Sequence, residues 1–308
     1  MVQTISKIGA QLLLFLMPLF LANCQKGGGD KVYRFKGNMN LDGWTRTWTL
    51  DLPPHYYDTS GFPLVIMLHG FGGNADQAEH DYGLTEKGNG AGFVVVYPDG
   101  TQSNGPARLR SWNTGTCCPV AQDNGVNDVH FISVLIDQLV ANYKIDPKRV
   151  YVAGMSNGAM MAYTLACDLS DKIAAITSVS GTLMVSSPCQ PSRTVPILHI
   201  HSALDTKVPY YGGYGMASHY FTSVDSTMSV WTALDSCNTP PQVTGGTNYS
   251  RTEWLGHDGR VAIDLYLTQD GGHSWPGGLK PRWQADAPST ALNATDLLWD
   301  FFQQYKLP

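Results

Sequence analysis

Charged side chains are scarce in this sequence of 308 residues, in which they make up 15% of the total; about 25% is usual in soluble proteins. The formal net charge is −5, so the protein lacks the basic surface on which nucleic-acid binding depends, and no nucleic-acid partner is expected. Hydrophobic residues make up 43%, which excludes an intrinsically disordered protein. The length suits one large α/β domain or two small ones.

No hydrophobic run is long enough for a transmembrane helix. The run at 8–22 has about 15 residues, whereas a spanning helix needs roughly 20. It follows Lys7 and ends in Leu-Ala-Asn-Cys24, which resembles the signal peptide of a bacterial lipoprotein with Cys24 as the lipidated residue. Ordinary signal cleavage, with Cys24 incidental, is the alternative. We expect an exported protein, extracellular or held in the periplasm or at the cell surface as an outer-membrane lipoprotein, that meets a membrane only through its lipid anchor.

Metal-binding spacings are also lacking. Five cysteines remain after Cys24, with no CxxC pair among them: Cys117, Cys118, Cys167, Cys189 and Cys237. An odd number allows at most two disulfides within the domain and leaves one thiol, and the sequence does not determine the pairing. His199 and His201 could bind a metal from one face of a strand, but no third ligand is suitably spaced. We expect hydrogen-bonded histidines and no metal.

The sequence contains no internal repeat and no linker after Asp30. We therefore expect a signal peptide at 1–23, a flexible glycine-rich tether at 24–32 and one catalytic domain at 33–308. Apolar runs bounded by turn residues predict strands at 45–52, 63–70, 93–97, 149–153, 173–179, 195–200 and 261–267. Helical periodicity predicts helices at 129–140, 160–169, 226–234 and 291–305. The alternation predicts an α/β fold with a mostly parallel, doubly wound sheet flanked by helices, and ligands at the carboxyl ends of its strands.

The strongest chemical signal is a GxSxG motif between a predicted buried strand and a helix. It has the sequence Gly-Met-Ser-Asn-Gly at 154–158. In that setting the tight turn needs small residues on both sides of the serine and lifts its hydroxyl clear of the sheet. A glycine-rich βα turn without catalytic function is the alternative. We predict Ser156 as a nucleophile.

A serine nucleophile needs a base, and the base needs an orienting carboxylate. Asp205 follows the strand at 195–200, and His273 follows the last predicted strand. This order of serine, acid and histidine is the one that the fold uses. Asp270 is an alternative acid because it lies close to His273 in the sequence. Asp264 falls inside a strand, and His257 and Asp258 precede it.

Two backbone N–H groups should stabilise the oxyanion that forms during acyl transfer. One is predicted at Asn157, directly after the nucleophile, and the other at Phe71, in the sequence His-Gly-Phe-Gly-Gly at 69–73. A phosphate-binding loop is excluded because no Lys-Ser/Thr pair follows the glycines. The chemistry requires no cofactor, since serine supplies the nucleophile.

These motifs together resemble the α/β-hydrolase esterases that include polyhydroxybutyrate depolymerases and the feruloyl and acetyl-xylan esterases of carbohydrate esterase family 1. The resemblance covers most of residues 33–305 and rests on the segments at 68–74, 97–102, 111–118, 123–139, 149–167, 195–210 and 271–278. It implies the α/β-hydrolase fold, with nucleophile, acid and base at Ser156, Asp205 and His273 and an oxyanion loop at Phe71.

The sequence does not determine the substrate. Trp112, Tyr210 and Trp275 are predicted to bind it, because aromatic walls suit a phenolic acyl group, a sugar face or an apolar polyester; ordinary loop packing is the alternative. We expect a small or oligomeric ester, such as a plant cell-wall polysaccharide ester or a polyester. A serine peptidase of the same fold and a non-catalytic surface-binding lipoprotein are the competing functions.

Overall fold

The computed structural model describes residues 31–279 and 285–308. The predicted signal peptide, Cys24 and most of the predicted tether lie outside the described residues. Val32–Pro308 form one compact unit. Within the described ranges, no helix combines the length and apolar character needed to cross a membrane.

A ten-stranded sheet organises this unit. Its strands in chain order are β1 (Arg34–Leu41), β2 (Trp44–Asp51), β3 (Phe62–Leu68), β4 (Val94–Pro98), β7 (Ile145–Met155), β8 (Ala175–Val179), β9 (Ile197–Ser202), β12 (Gln242–Gly246), β13 (Tyr249–Leu255) and β14 (Val261–Thr268). Two small hairpins complete the strands: β5 (Thr101–Gln102) with β6 (Arg110–Ser111), and β10 (Gly213–Tyr214) with β11 (Tyr220–Phe221).

The order across the sheet is β1-β2-β4-β3-β7-β8-β9-β14-β13-β12. The six strands from β4 to β14 are parallel, and the pairs at both edges are antiparallel. The central strands β3, β4, β8 and β9 are buried along their whole length, as expected of parallel strands covered on both faces. The predicted fold class is therefore confirmed.

Helices lie on both sides of the sheet. They are α1 (Ala75–Tyr82), α2 (Leu84–Ala91), α3 (Asp128–Asn142), α4 (Asn157–Asp168), α5 (Val224–Leu234) and α6 (Ala294–Phe302), with a short 3₁₀ turn at Met216–Ser218. Asn127 caps α3 by accepting a hydrogen bond from the His130 N–H at 3.0 Å, the usual role of an asparagine at the start of a helix. The four predicted helices and seven predicted strands all form, with small shifts at their ends.

The sequence analysis missed elements with weak periodicity. Helix α2 contains Gly88 and Gly90, which lower helix propensity. Strands β12 and β13 form an edge whose residues are exposed or half-buried, so they lack the continuous apolar run of a central strand. The two strands form because they pair with the edge of the central sheet, and the helix forms because it covers part of the surface of that sheet.

Candidate active site

The turn between β7 and α4 holds Ser156 in a strained conformation, with φ 57° and ψ −119°. A Cβ at Gly154 would lie 2.2 Å from the Gly158 carbonyl oxygen, and one at Gly158 would lie 2.3 Å from the Leu68 carbonyl oxygen. Side chains are therefore excluded on both sides of the serine by backbone atoms. This contact explains the glycines of the motif and fixes the Ser156 hydroxyl above the sheet.

Loops that follow three different strands bring Ser156, His273 and Asp205 together. The Ser156 hydroxyl lies 2.8 Å from His273 Nε2, and His273 Nδ1 lies 2.7 Å from Asp205 Oδ2. Because the carboxylate can only accept, Nδ1 carries the ring proton and Nε2 accepts from the serine hydroxyl. The serine and the aspartate are buried, and the histidine side chain is 9% exposed.

Asp205 is held as a carboxylate. Its Oδ1 accepts hydrogen bonds from the backbone N–H groups of Lys207 and Val208, each at 2.9 Å. Burial alone would raise the pKa of Asp205, but its hydrogen bond with His273, the electrostatic interactions with the His273 and His201 rings and the backbone N–H of Val208 hold the pKa below the ordinary value. The group is thus an ionised acceptor in position to orient His273.

The alternative acid lies elsewhere. Asp270 accepts hydrogen bonds from Ser289 Oγ at 2.5 Å and from the Thr290 backbone N–H at 2.8 Å, so it organises the segment that precedes α6. Asp264 is paired with Arg251 across neighbouring strands, and Asp258 with Arg260. Among the described residues, no hydrogen bond joins His273 to any of the alternatives raised by the sequence.

The loop after β3 passes directly beside Ser156, since a Cβ at Gly70 would lie 3.4 Å from Ser156 Cβ. Among the described residues, no backbone acceptor faces the Phe71 N–H. Asn157 is the first residue of α4, where N–H groups have no partner within the helix. Among the described residues, neither the Phe71 N–H nor the Asn157 N–H has a hydrogen-bond partner within the protein.

Trp112 connects the two segments that carry these donors. Its backbone N–H donates to Asn157 Oδ1 at 2.7 Å, and its carbonyl accepts from Asn157 Nδ2 at 3.0 Å. Its indole N–H donates to the His69 carbonyl at 2.9 Å. The His69 ring in turn accepts from the Gly100 N–H and contacts the Gly70 carbonyl. Burial lowers the pKa of His69 to about 4, so this ring is a neutral structural element.

The three aromatic side chains predicted to bind substrate are buried instead. Trp112 has no exposed surface, Trp275 is 2% exposed and Tyr210 is 8% exposed. Trp275 donates to Thr295 and stacks on Tyr82, and Tyr210 donates to Asp225. A ring that contacts substrate must present a face or an edge to solvent, so the structure gives these residues packing roles. The exposed aromatics of the same region are Tyr211, Tyr214 and Tyr220.

Two further residues support the site, and the first of them escaped the sequence analysis. Asp286 accepts a hydrogen bond from the His273 backbone N–H at 2.8 Å and lies 3.4 Å from Lys207 Nζ, so it links the base loop to the acid loop. No motif marks this aspartate.

The second residue, His201, lies beside Asp205, and its ring is hydrogen-bonded to His199 at 3.2 Å. The HxH pattern marked this pair, and the expected hydrogen bonding is confirmed. Within the described ranges, no cluster of three or more metal-ligating side chains occurs.

The disulfides fit the predicted count. Cys117 pairs with Cys118 and Cys167 with Cys189, and Cys237 is free. The first pair is buried in a small apolar cluster with Met160, Val208 and Phe221, against which Phe71 packs. This cluster therefore joins the loop after β3 to the loop after β9.

Comparison with known proteins identifies the family. The model of the esterase PHB depolymerase family matches residues 47–219, more than half of the sequence. The chain belongs to this family. It is 28% identical over 265 residues to feruloyl esterase B of Piromyces equi, a match that covers 83% of this chain and 44% of that protein. It therefore spans less than half the length of that relative.

Other relatives carry related names. Feruloyl esterase C of Emericella nidulans is 26% identical over 264 residues, with 83% of each protein covered. Poly(3-hydroxyalkanoate) depolymerase C of Paucimonas lemoignei is 34% identical over 119 residues, which is 39% of this chain and 28% of that protein. The solved structure of an acetyl xylan esterase from Aspergillus awamori superposes with a TM-score of 0.62 at 16% identity, covering 87% of this chain and 99% of that one. That likeness supports the α/β-hydrolase fold.

Proposed function

We propose that this family member is an exported serine carboxylic-ester hydrolase that acts through an acyl-enzyme. One observation carries the proposal. The Ser156 hydroxyl, the His273 ring and the Asp205 carboxylate form an unbroken series of hydrogen bonds of 2.8 and 2.7 Å, and the N–H groups of Phe71 and Asn157 have no partner among the described residues. The site thus contains a nucleophile, a base, an orienting acid and oxyanion donors.

Acylation begins when Ser156 Oγ attacks the ester carbonyl carbon while its proton moves to His273 Nε2. The carbonyl oxygen becomes an oxyanion and accepts hydrogen bonds from the backbone N–H groups of Phe71 and Asn157. Asp205 stabilises the imidazolium that forms. When the tetrahedral intermediate collapses, the C–O bond to the alcohol breaks, and His273 gives its proton to the departing alcohol oxygen.

Deacylation repeats these steps with water as the nucleophile. His273 Nε2 takes a proton from water as the water oxygen bonds to the acyl carbon. The bond from that carbon to Ser156 Oγ then breaks, and the proton returns to the serine. The products are a carboxylic acid and an alcohol, and every proton is carried by residues of the triad. No cofactor takes part in these steps.

We propose a small or oligomeric ester as substrate, of the feruloyl, acetyl or hydroxyalkanoate class that the names of the relatives span. Tyr211 and the hairpin of β10 and β11 follow the acid loop and expose tyrosine rings: Tyr211 is 75%, Tyr214 76% and Tyr220 60% exposed. Exposed rings of this kind suit the flat face of a sugar or a phenolic group. Rates on methyl ferulate, acetylated xylan and hydroxybutyrate oligomers, measured side by side, distinguish the three ester classes.

Ser156→Ala tests the proposed nucleophile. Turnover should fall by roughly 10³–10⁶ in kcat, and covalent labelling by a fluorophosphonate should disappear. Ser170→Ala is the matched control, because Ser170 is equally buried but pairs with Ser192; it should keep both properties. Retention of more than a few per cent of turnover in Ser156→Ala would exclude this serine as the nucleophile. Absence of labelling in the unaltered protein would favour a non-catalytic binding protein.

We further propose that export ends in lipid attachment at Cys24, because an apolar run precedes this cysteine and a glycine run follows it. Cys24→Ser should release the protein from the membrane fraction without changing its ester hydrolysis. Mass spectrometry of the mature N-terminus in the native host provides the direct measurement, and an unmodified Cys24 would overturn lipidation alone.

A further inference from the structure

Three buried side chains lie in a row behind the Asp205 carboxylate: Tyr163 of α4 and His199 and His201 of β9, which we call the buried triplet. None is more than 1% exposed. The Tyr163 hydroxyl lies 2.7 Å from His199 Nδ1, and His199 Nε2 lies 3.2 Å from His201 Nδ1. At the far end, His201 Nε2 lies 2.8 Å from the Val208 carbonyl oxygen and 3.5 Å from Asp205 Oδ2.

These contacts permit one arrangement of protons when both rings are neutral. The Val208 carbonyl can only accept, so His201 must carry its proton on Nε2 and accept at Nδ1. His199 must then donate from Nε2 and accept at Nδ1, which requires the Tyr163 hydroxyl to donate. All three donors point the same way, from Tyr163 toward the acid loop.

Neutral rings are the form that the surroundings favour. Burial lowers the pKa of His201, partly offset by the charge of Asp205, and burial together with the neighbouring His201 lowers the pKa of His199 well below its ordinary value. The other titratable groups around this point are His273, on Asp205, and Tyr210, whose ring packs edge-on against His201 and whose hydroxyl donates to Asp225. Lys207, on the acid loop, is paired with Asp286.

We propose that the buried triplet is a positioning device that holds the N–H dipole of His201 in a fixed orientation beside Asp205. This dipole limits how strongly the Asp205 carboxylate stabilises the protonated form of His273. The inference rests on the proposed function, because it concerns the acid of that triad. A hydrogen-bond donor beside a carboxylate offsets part of its charge. With the donor in place, the imidazolium formed during attack is stabilised less and gives up its proton more readily to the leaving alcohol.

The test is the pH profile of kcat/KM on one activated ester, read at its acid limb, below which His273 is protonated and cannot accept from Ser156. In His201→Leu the donor is lost, the charge of Asp205 is less offset, and His273 keeps its proton to higher pH. The acid limb should move upward by on the order of 0.3–1 pH unit. His201→Gln retains a donor near the position of Nε2 and should stay close to the unaltered protein.

The direction of the shift separates this role from simple structural support. A loosened acid loop would weaken the contact between Asp205 and His273 and move the acid limb downward. Tyr163→Phe acts at the far end of the triplet. Without the hydroxyl donor, the position of the proton on His199 is no longer fixed, and the acid limb should show a smaller upward shift. Tyr151→Phe is its matched control, since it removes another buried hydroxyl, one that donates to the Tyr305 carbonyl.

An unchanged or lowered acid limb in both His201→Leu and Tyr163→Phe would overturn the proposal. If His201→Leu does not fold, Tyr163→Phe beside Tyr151→Phe decides the question alone. Failure of the proposed function is distinguishable, because it would appear as activity retained in Ser156→Ala whatever the pH profiles show.

Discussion

The two halves of the candidate active site are built by different kinds of force. On the nucleophile side, Ser156 and the oxyanion loop are held by backbone contacts at which even a methyl group would collide with carbonyl oxygens. On the acid–base side, Asp205 and His273 lie on loops after β9 and β14 that are joined by side-chain hydrogen bonds and by the pair of Lys207 with Asp286.

This difference has consequences for substitution. Steric exclusion by backbone atoms is all or none, because the backbone of a central sheet cannot move aside. Hydrogen bonds between side chains can be weakened one at a time, and each contributes about 1 kcal/mol. Substitutions at the glycines that flank Ser156 should therefore abolish function, while substitutions that remove a single side-chain hydrogen bond should give graded effects.

The largest effect is expected for Gly158→Ala. Its Cβ would lie 2.3 Å from the Leu68 carbonyl oxygen, so α4 or β3 must shift and displace both the nucleophile and the Asn157 N–H. We expect kcat to fall on the order of 10⁴-fold, since a displaced nucleophile and a lost oxyanion donor each cost about 10² or more. Steady-state kinetics on the folded variant measures this loss.

Gly90→Ala is the matched control for that change. Gly90 also lies in a helix, but a Cβ there would have no atom within 4 Å. This variant should keep full activity and gain roughly 1 kcal/mol of stability, because alanine favours the helix. Equal activity of both glycine variants would show that sterics do not define the nucleophile side.

Asp205→Asn should cost less, on the order of 10²–10⁴ in kcat. The amide removes the charge that stabilises the His273 imidazolium and allows the wrong tautomer of the ring. Asp270→Asn is the comparison, since Asp270 contacts Ser289 and Thr290 instead of His273, and it should remain close to full activity. A collapse of kcat/KM in Asp270→Asn, with Asp205→Asn within about threefold of the unaltered protein, would reassign the acid.

Trp112→Phe tests a hydrogen bond on the nucleophile side, because it removes one hydrogen bond there without adding volume. Loss of the indole donor to the His69 carbonyl should loosen the oxyanion loop and lower kcat by about 5–10-fold, the equivalent of about 1 kcal/mol, with little change in KM. Trp275→Phe removes a comparable bond, to Thr295, and should affect stability alone. A change in KM without kcat would instead indicate substrate contact at Trp112.

The smallest effect on catalysis is expected at Asp235, which lies beside the chain that leads into β9. Asp235 is fully buried and accepts from the Val195 N–H, and its other oxygen has no hydrogen-bond partner among the described residues. Burial raises its pKa from 3.8 to about 7. Above about pH 4 the unfolded protein loses this proton while the folded protein retains it, so the stability that the protonated group contributes is lost as pH rises toward 7.

Asp235→Asn removes this titration. Thermal unfolding between about pH 4 and 8 should show the variant gaining stability relative to the unaltered protein as pH rises, while kcat stays within about twofold. A difference in melting temperature that does not vary with pH would contradict the raised pKa. A large loss of activity would show that the start of β9 and its catalytic end are coupled.

The sequence by itself determined the parts of this protein that depend on neighbouring residues. Apolar runs and helical periodicity predicted the central strands and four helices, since burial on two faces or on one stripe leaves a direct pattern. The glycines around Ser156 predicted a strained turn with an exposed hydroxyl and hence the proposed nucleophile, because the steric conflict that they avoid arises within a single turn. The order of strand ends placed Asp205 and His273 at the same edge of the sheet.

The tertiary structure alone decided how those groups are supported. It placed Trp112, Tyr210 and Trp275 in the interior, where their polar groups have partners in the protein, and it brought Asp286 to the base loop and the buried triplet to the acid. These contacts join residues that are far apart in the sequence, so their geometry exists only once the loops have closed over the sheet. The chemical groups of the site follow from local pattern, whereas their orientation and protonation depend on long-range packing.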